Sequence, residues 1–332
     1  MSTSPILFVG GSGVVGKAAV RWFRQRHPEI GVLIGARNVQ AASEFAQQVG
    51  AAKAIALDLD RPRMGLEEGI VAGGVVMMGP DDALHGLGYA QDLGIPYVNI
   101  GNGLIELGPE LAHFAHRPSA APVVLSSHWA AGAAMFLALE TTKGFQSVDS
   151  IHIGVLLDSE DQAGPLAYED MERTTAPATL VFKDGRRTWV AGEQAEGRFR
   201  AIDGRTMSAQ IYSPLDIISL HAATSAANVR LDLVTAESSS RRRGGPAAAE
   251  IVVQVQGSRE GRAEQARSTL EFPQGQASLT ALSAVLSLSA ALGLTTGTPA
   301  SPGLYMPELL SDSEGFLGQL REEGAIIDIG SN

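Results

Sequence analysis

Cysteine is absent from the 332 residues, which rules out disulfides, thiolate metal sites and a cysteine nucleophile together. That absence fits a cytoplasmic protein. Basic residues are also in short supply: 25 Lys and Arg against 36 Asp and Glu give a formal net charge of -11. Phosphate-rich surfaces recruit clustered Lys and Arg, so neither nucleic acid nor an anionic membrane is an expected partner, whereas small molecules and proteins are. Long hydrophobic runs are missing as well. The N-terminal MSTSPILFVGG has no basic stretch, and glycine ends its apolar run too early for a signal core. Residues 279–294, the longest apolar segment, carry Thr280, Ser283, Ser287 and Ser289, which marks a buried helix rather than a membrane span. No GxSxG elbow for a serine hydrolase occurs. What remains, 45% hydrophobic and 18% charged residues, is the composition of a soluble protein long enough for two domains with a core each.

Along the chain, residues 6–9 form a buried-strand pattern and 14–25 place apolar residues at helical spacing until His27-Pro28. Further strands are predicted at 31–36, 54–57, 74–78, 97–100 and 123–125, with helices at 41–49 and 83–93. Apolar strands alternating with helices imply an α/β fold with a doubly wound parallel sheet covered on both faces. From about residue 145 the pattern changes. Strands are predicted at 151–157, 178–182, 188–190, 229–235 and 250–256, and Lys183-Asp-Gly-Arg186 reads as a hairpin turn, so a second, α+β domain on a mainly antiparallel sheet is expected. Residues 238–249 (SSSRRRGGPAAA) read as a mobile loop with solvated arginines.

Gly11-Ser12-Gly13-Val14-Val15-Gly16 fits GxGxxG, follows a strand and opens a helix. The first glycine allows a tight turn, the second close approach of backbone to a pyrophosphate, and the third close helix packing, while the helix start offers free N–H groups to phosphate. At the end of the second strand, where an acid would bind a ribose 2'-hydroxyl, stand Arg37 and Asn38. A guanidinium grips a 2'-phosphate with charge-assisted bonds, so NADP (as NADPH) is expected over NAD; an arginine merely capping a loop is the alternative. By position, Asp58 would lie near the adenine edge, Met78, Gly79 and Pro80 under the nicotinamide half, and Gly101 within reach of cofactor or substrate.

The order of GGSGVVG, GAR after the second strand, VVMMGP, IPYVNIGNG and GLYMPELL followed by Ala325-Ile-Ile-Asp328 resembles the saccharopine dehydrogenase-like oxidoreductases. Asn99 and Asn102 stand where acids are common in that family. The resemblance implies a Rossmann domain over residues 1–127, an α+β substrate and dimerisation domain over 128–277, and a helical segment over 278–332 packing back towards the first. It also implies NADP-linked reduction of an imine or oxidation of an amine, with relatives that reduce C=C bonds instead.

Hydride transfer needs one group that moves a proton. His128, between the last Rossmann strand and a predicted helix, is the expected relay, because an imidazole of pKa about 6.5 does that work at neutral pH; a histidine capping the helix is the alternative. Asp158, Glu160 and Asp161 would hold a substrate ammonium group, and Tyr168 would supply a hydroxyl, although no YxxxK follows it. His113 and His116 are spaced as a metal pair would be, but Arg117-Pro118 ends the element and no third ligand is evident, so no metal is expected. A carbonyl or enoyl reductase and a non-catalytic NADP-binding sensor or scaffold are the rival readings. A homodimer formed through the second domain's sheet is the expected assembly.

Overall fold

The computed structural model describes residues 4–104, 106–161 and 178–331. The chain divides into two units: Met1–Ser127 with Thr280–Ser311, and His128–Leu279 with Asp312–Asn332.

In the first unit β1 (Ile6–Val9), α1 (Val14–Arg26), β2 (Val32–Ala36), α2 (Val39–Val49) and β3 (Ala52–Ala56) build one half. β4 (Gly74–Met77), α3 (His85–Leu93), β5 (Tyr97–Asn99), α4 (Leu107–His116) and β6 (Pro122–Leu125) build the other. The strand order is β3-β2-β1-β4-β5-β6, with β15 (Gly303–Tyr305) added beside β6. Every pair is parallel. β1, β2, β4, β5 and β6 are buried along their whole length, which is why they read as unbroken apolar runs. The order reverses between β1 and β4, the switch point at which such sheets bind ligands. Helix α4 was not expected; it buries only Leu107 and Glu110, so its sequence has no broad apolar stripe.

The second unit holds α5 (Ala133–Thr142), β7 (Ser147–Asp158), β8 (Thr179–Lys183), β9 (Arg186–Val190), β10 (Glu196–Arg200), β11 (Thr206–Tyr212), β12 (Asn228–Ala236), β13 (Ala249–Arg259), β14 (Arg262–Phe272) and β16 (Ile326–Ser331). Its sheet runs β10-β11-β12-β7-β13-β14-β16, with β8 against β12 and β9 against β8. Only β12–β7 is parallel among these pairs. Asp184 (φ 50°) and Gly185 (φ 73°) make the left-handed pair that a two-residue hairpin needs. Ile151, Ile153, Val155, Ile251, Val253 and Val255 are buried within the unit, where α5 packs on β13 and β14. On the opposite face Leu156 and Val252 meet Phe199, Ala201 and Ala209.

Two expectations are corrected here. Residues 278–332 do not return as one segment: β15 extends the parallel sheet, whereas β16 pairs antiparallel with β14 in the second unit. The arginines of 238–249 are ion-paired, although Arg242 and Arg243 remain about half exposed. Ser238 caps the single turn Ser239–Arg242, Arg242 lies 3.4 Å from Asp203, and Arg243 bonds both oxygens of Glu271 at 2.8 Å. The carboxylates lie far off in sequence, so local composition carried no sign of them. Among the described residues no helix is long and apolar enough to cross a membrane.

Candidate dinucleotide and active site

The glycine turn stands at the carboxyl end of β1. Gly10 has φ +77°, and a Cβ on Gly16 would come within 2.2 Å of the Gly10 carbonyl oxygen, so α1 starts closer to β1 than any side chain permits. Helix α1 opens at Gly13 with no side-chain cap and no acid in its first turn. Its first N–H groups have no intrahelical acceptor, and Gly13 and Val14 are exposed beside them. A pyrophosphate fits this cradle: the donors face outward and the helix dipole favours an anion.

Arg37 follows β2 directly and is exposed. Asn38 caps α2, its Oδ1 accepting from Ala41 N, so only its amide group is left for a ligand. Asp58 lies two residues beyond β3, exposed, its Oδ1 accepting from Asp60 N in a turn. Met78 packs against the turn: its Cβ is 3.4 Å from where a Gly10 Cβ would lie, and its N–H donates to Val9 O. A Cβ on Gly101 would sit 2.1 Å from the Gly79 carbonyl carbon. The segment after β4 and the segment after β5 therefore touch backbone to backbone, next to the glycine turn.

Sequence reasoning missed the buried cluster beneath these segments. Asp81 accepts from Gly86 N (3.1 Å) and Leu87 N (2.9 Å) at the start of α3, and from Tyr97 Oη at 3.0 Å. Asn99 Nδ2 donates to Glu110 Oε1 at 2.7 Å and to Tyr97 Oη at 3.1 Å, while Asn99 Oδ1 accepts from Gly101 N at 2.7 Å. Asn102 Oδ1 lies 3.4 Å from Asp81 N. Burial raises the pKa of Glu110, against the bonds from Asn99, Asn102 and Tyr97. Burial also raises that of Tyr97 well above the usual phenol range, with Asp81 and Glu110 adding to it. The signals available in the sequence were the neighbouring Asn99 and Asn102, and Asp81 directly after VVMMGP.

His128 and Asp158, expected at the substrate, belong to the second unit. His128 is buried, with Nε2 2.9 Å from Ser219 Oγ, and burial pushes its pKa down to about 3. That shift favours the neutral imidazole and moves the group away from the pKa of about 6.5 on which the relay expectation rested. Beside it Trp129 N donates to Asp216 Oδ2 at 2.6 Å. Asp158 is buried and engaged: it accepts from Ser238 N and Glu160 N, each at 2.8 Å, and from Arg241 Nε at 3.0 Å. Burial opposes its ionisation, but the bonds from Ser238, Glu160 and Arg241 prevail and hold the carboxyl below the usual range. Glu160 bonds the same Arg241, and Asp161 accepts from Gln276 N at the start of the helix Gly275–Ala291. Asp158 and Asp161 of the acidic turn are thus engaged within the fold, while the Glu160 side chain is 67% exposed. Tyr168 lies outside the described residues. His113 and His116 end α4, and no cluster of three metal-ligating side chains occurs among the described residues.

No protein-family model and no curated protein sequence matches the chain. Solved structures do. Saccharopine dehydrogenase of Saccharomyces cerevisiae superposes with a TM-score of 0.64 at 14% identity, covering 98% of this chain and 100% of that one. Dihydrodipicolinate reductase of Paenisporosarcina sp. TG-14 matches with a TM-score of 0.43 at 12% identity, covering 91% and 97%. A myo-inositol dehydrogenase of Corynebacterium glutamicum ATCC 13032 matches with a TM-score of 0.45 at 11% identity, covering 99% and 100%. The first of these, together with the parallel sheet, the glycine turn and the mixed second sheet, shows that the chain has the fold of the saccharopine dehydrogenase-like oxidoreductases.

Proposed function

We propose that the chain is an NADP-dependent oxidoreductase that reduces an imine, or oxidises an amine, at a C–N bond of a small substrate. The observation that carries this reading is the uncapped, glycine-lined start of α1 with Arg37 exposed at the end of the neighbouring strand. Val14, Val15 and Gly16 would bind the pyrophosphate through backbone N–H groups, and Arg37 the 2'-phosphate. Met78, Gly79, Pro80 and Gly101 would flank the nicotinamide half, which supplies or accepts the hydride when bound. Apolar Met78 and the close Gly79–Gly101 contact would keep water from that side. Support for C–N chemistry comes from the fold shared with saccharopine dehydrogenase; Asp158 and Asp161 no longer support it, since their partners are inside the protein. That same observation favours, as second reading, a carbonyl or enoyl reductase, which needs no ammonium site. A cytoplasmic homodimer belongs to this proposal, with light scattering as its test; the apolar sheet face being covered, pairing would use another surface.

Fluorescence titration with NADPH and NADH tests the cofactor, with NADPH binding more tightly as the expected result. Binding of neither overturns the reading. Cyclic imines, and amine with keto-acid pairs, followed by NADPH absorbance then test the reaction; turnover of carbonyl or enoyl substrates alone selects the second reading, and cofactor binding without any turnover selects a scaffold.

A further inference from the structure

Two backbone segments flank the switch point, 78–81 after β4 and 99–103 after β5, and one buried cluster ties both from beneath. Asp81 anchors the first segment through Tyr97, and Asn99 anchors the second by accepting the Gly101 N–H. Glu110 of α4 holds Asn99 from below. Asp81, Tyr97, Asn99, Asn102 and Glu110 are all buried.

Counting protons shows what the cluster requires. Tyr97 Oη has one hydrogen, and Asp81 Oδ2 at 3.0 Å is closer than Glu110 Oε1 at 3.3 Å. Asn99 spends its two amide hydrogens on Tyr97 Oη and Glu110 Oε1. Asp81 receives two backbone N–H groups and the phenol, three donors to one carboxyl. Glu110 receives the side-chain amides of Asn99 and Asn102 but no backbone N–H group, and no Lys or Arg forms an ion pair with either acid among the described residues. The groups facing Glu110 are Asp81 from the β4–α3 connection, Tyr97 and Asn99 from β5, and Asn102 from the following loop; Glu106 is turned to Gly103 N. An acid at 99, in place of the amide, would put three carboxyls around one phenol with no donor between them.

We propose that Glu110 is a positioning residue for the dinucleotide: through Asn99, Tyr97 and Asp81 it fixes the spacing of segments 78–81 and 99–103, on which the nicotinamide half would rest. This rests on the cofactor reading above. Burial favours the neutral form of Glu110 over the ionised one. Its folded-state pKa is raised by burial, so its contribution is fully present below the ordinary carboxylate value and is lost as pH rises through the raised one.

The experiment compares wild type, Glu110→Gln and Glu110→Ala in NADPH titrations and in thermal melts of the cofactor-free protein, each from mildly acidic to alkaline pH. Gln reproduces the neutral acid. Wild-type affinity is expected to fall several-fold towards alkaline pH, Glu110→Gln to keep the acid-side affinity throughout, and Glu110→Ala to lose about tenfold at acid pH, the worth of one buried hydrogen bond. A Glu110→Gln profile that parallels wild type overturns the proposal, as does full affinity in Glu110→Ala. Should Glu110→Ala fail to fold, the wild-type and Gln profiles still decide. The melts keep the two readings apart: if neither coenzyme binds, the cofactor reading falls, while identical pH dependence of wild-type and Glu110→Gln melting removes the neutral-acid assignment whatever binds.

Discussion

At the scale of single residues, the proposed preference for NADPH over NADH rests on Arg37. A charge-assisted bond to phosphate is worth about 1.5–3 kcal/mol, so Arg37→Ala should weaken NADPH about tenfold to a hundredfold and leave NADH nearly unchanged in parallel titrations. Equal weakening of both would remove the guanidinium from the 2'-position. His128 gives a pH prediction with a definite sign. Its folded pKa of about 3 lies below the unfolded value of about 6.5. The unfolded chain therefore takes up a proton first, and stability present above the unfolded value is lost as pH falls between the two. His128→Gln should flatten that part of the melting-temperature profile by one proton's slope. The glycine turn was legible in the sequence because its function depends on consecutive residues. Asp158 and His128 were not legible in the same way, because Arg241 and Ser219, which define their states, lie 83 and 91 residues away.

Among elements, the fit of β10 over β7 depends on one missing side chain. A Cβ on Gly154 would lie 2.2 Å from the Phe199 ring. Gly154→Ala should therefore cost about 1–3 kcal/mol by overpacking, read by chemical denaturation. Phe199→Leu in the same chain should recover part of it, because the two changes share one space. Strands β10 and β14 went unforeseen for a related reason. EGRFR and the first half of RAEQARSTLEF are polar, and what makes them strands is the ladder each forms with β11 and β13, a tertiary effect that outweighs local propensity. By contrast, the buried parallel strands declare themselves, since both faces need apolar residues. The turn Ser239–Arg242 belongs to the first kind: Asp158 holds it at Ser238 N and Arg241 Nε. Asp158→Ala leaves the buried Ser238 N–H unpaired, while Arg241 keeps Glu160 and Ser159, and should cost about 1–3 kcal/mol.

On the scale of the whole chain, the polypeptide crosses between its two units at 127–128, 279–280 and 311–312, and each unit has its own sheet and core. The residues proposed to bind the cofactor all belong to the first unit, whereas the last helix, Ser313–Glu322, and β16 complete the second. In that second core Phe316 stacks on Phe136 with ring centroids 3.8 Å apart, both fully buried. Removing such a ring costs about 3–5 kcal/mol. A ligand that binds only the folded first unit stabilises that unit by mass action, in proportion to the logarithm of its concentration over its dissociation constant. Calorimetry should therefore resolve two transitions: saturating NADPH raises one, and Phe316→Ala lowers the other. The helix Gly275–Ala291 runs unbroken across the 279–280 boundary, so it is the element through which the transitions would merge. A single transition moved by both perturbations would show that this helix makes the two units fold as one.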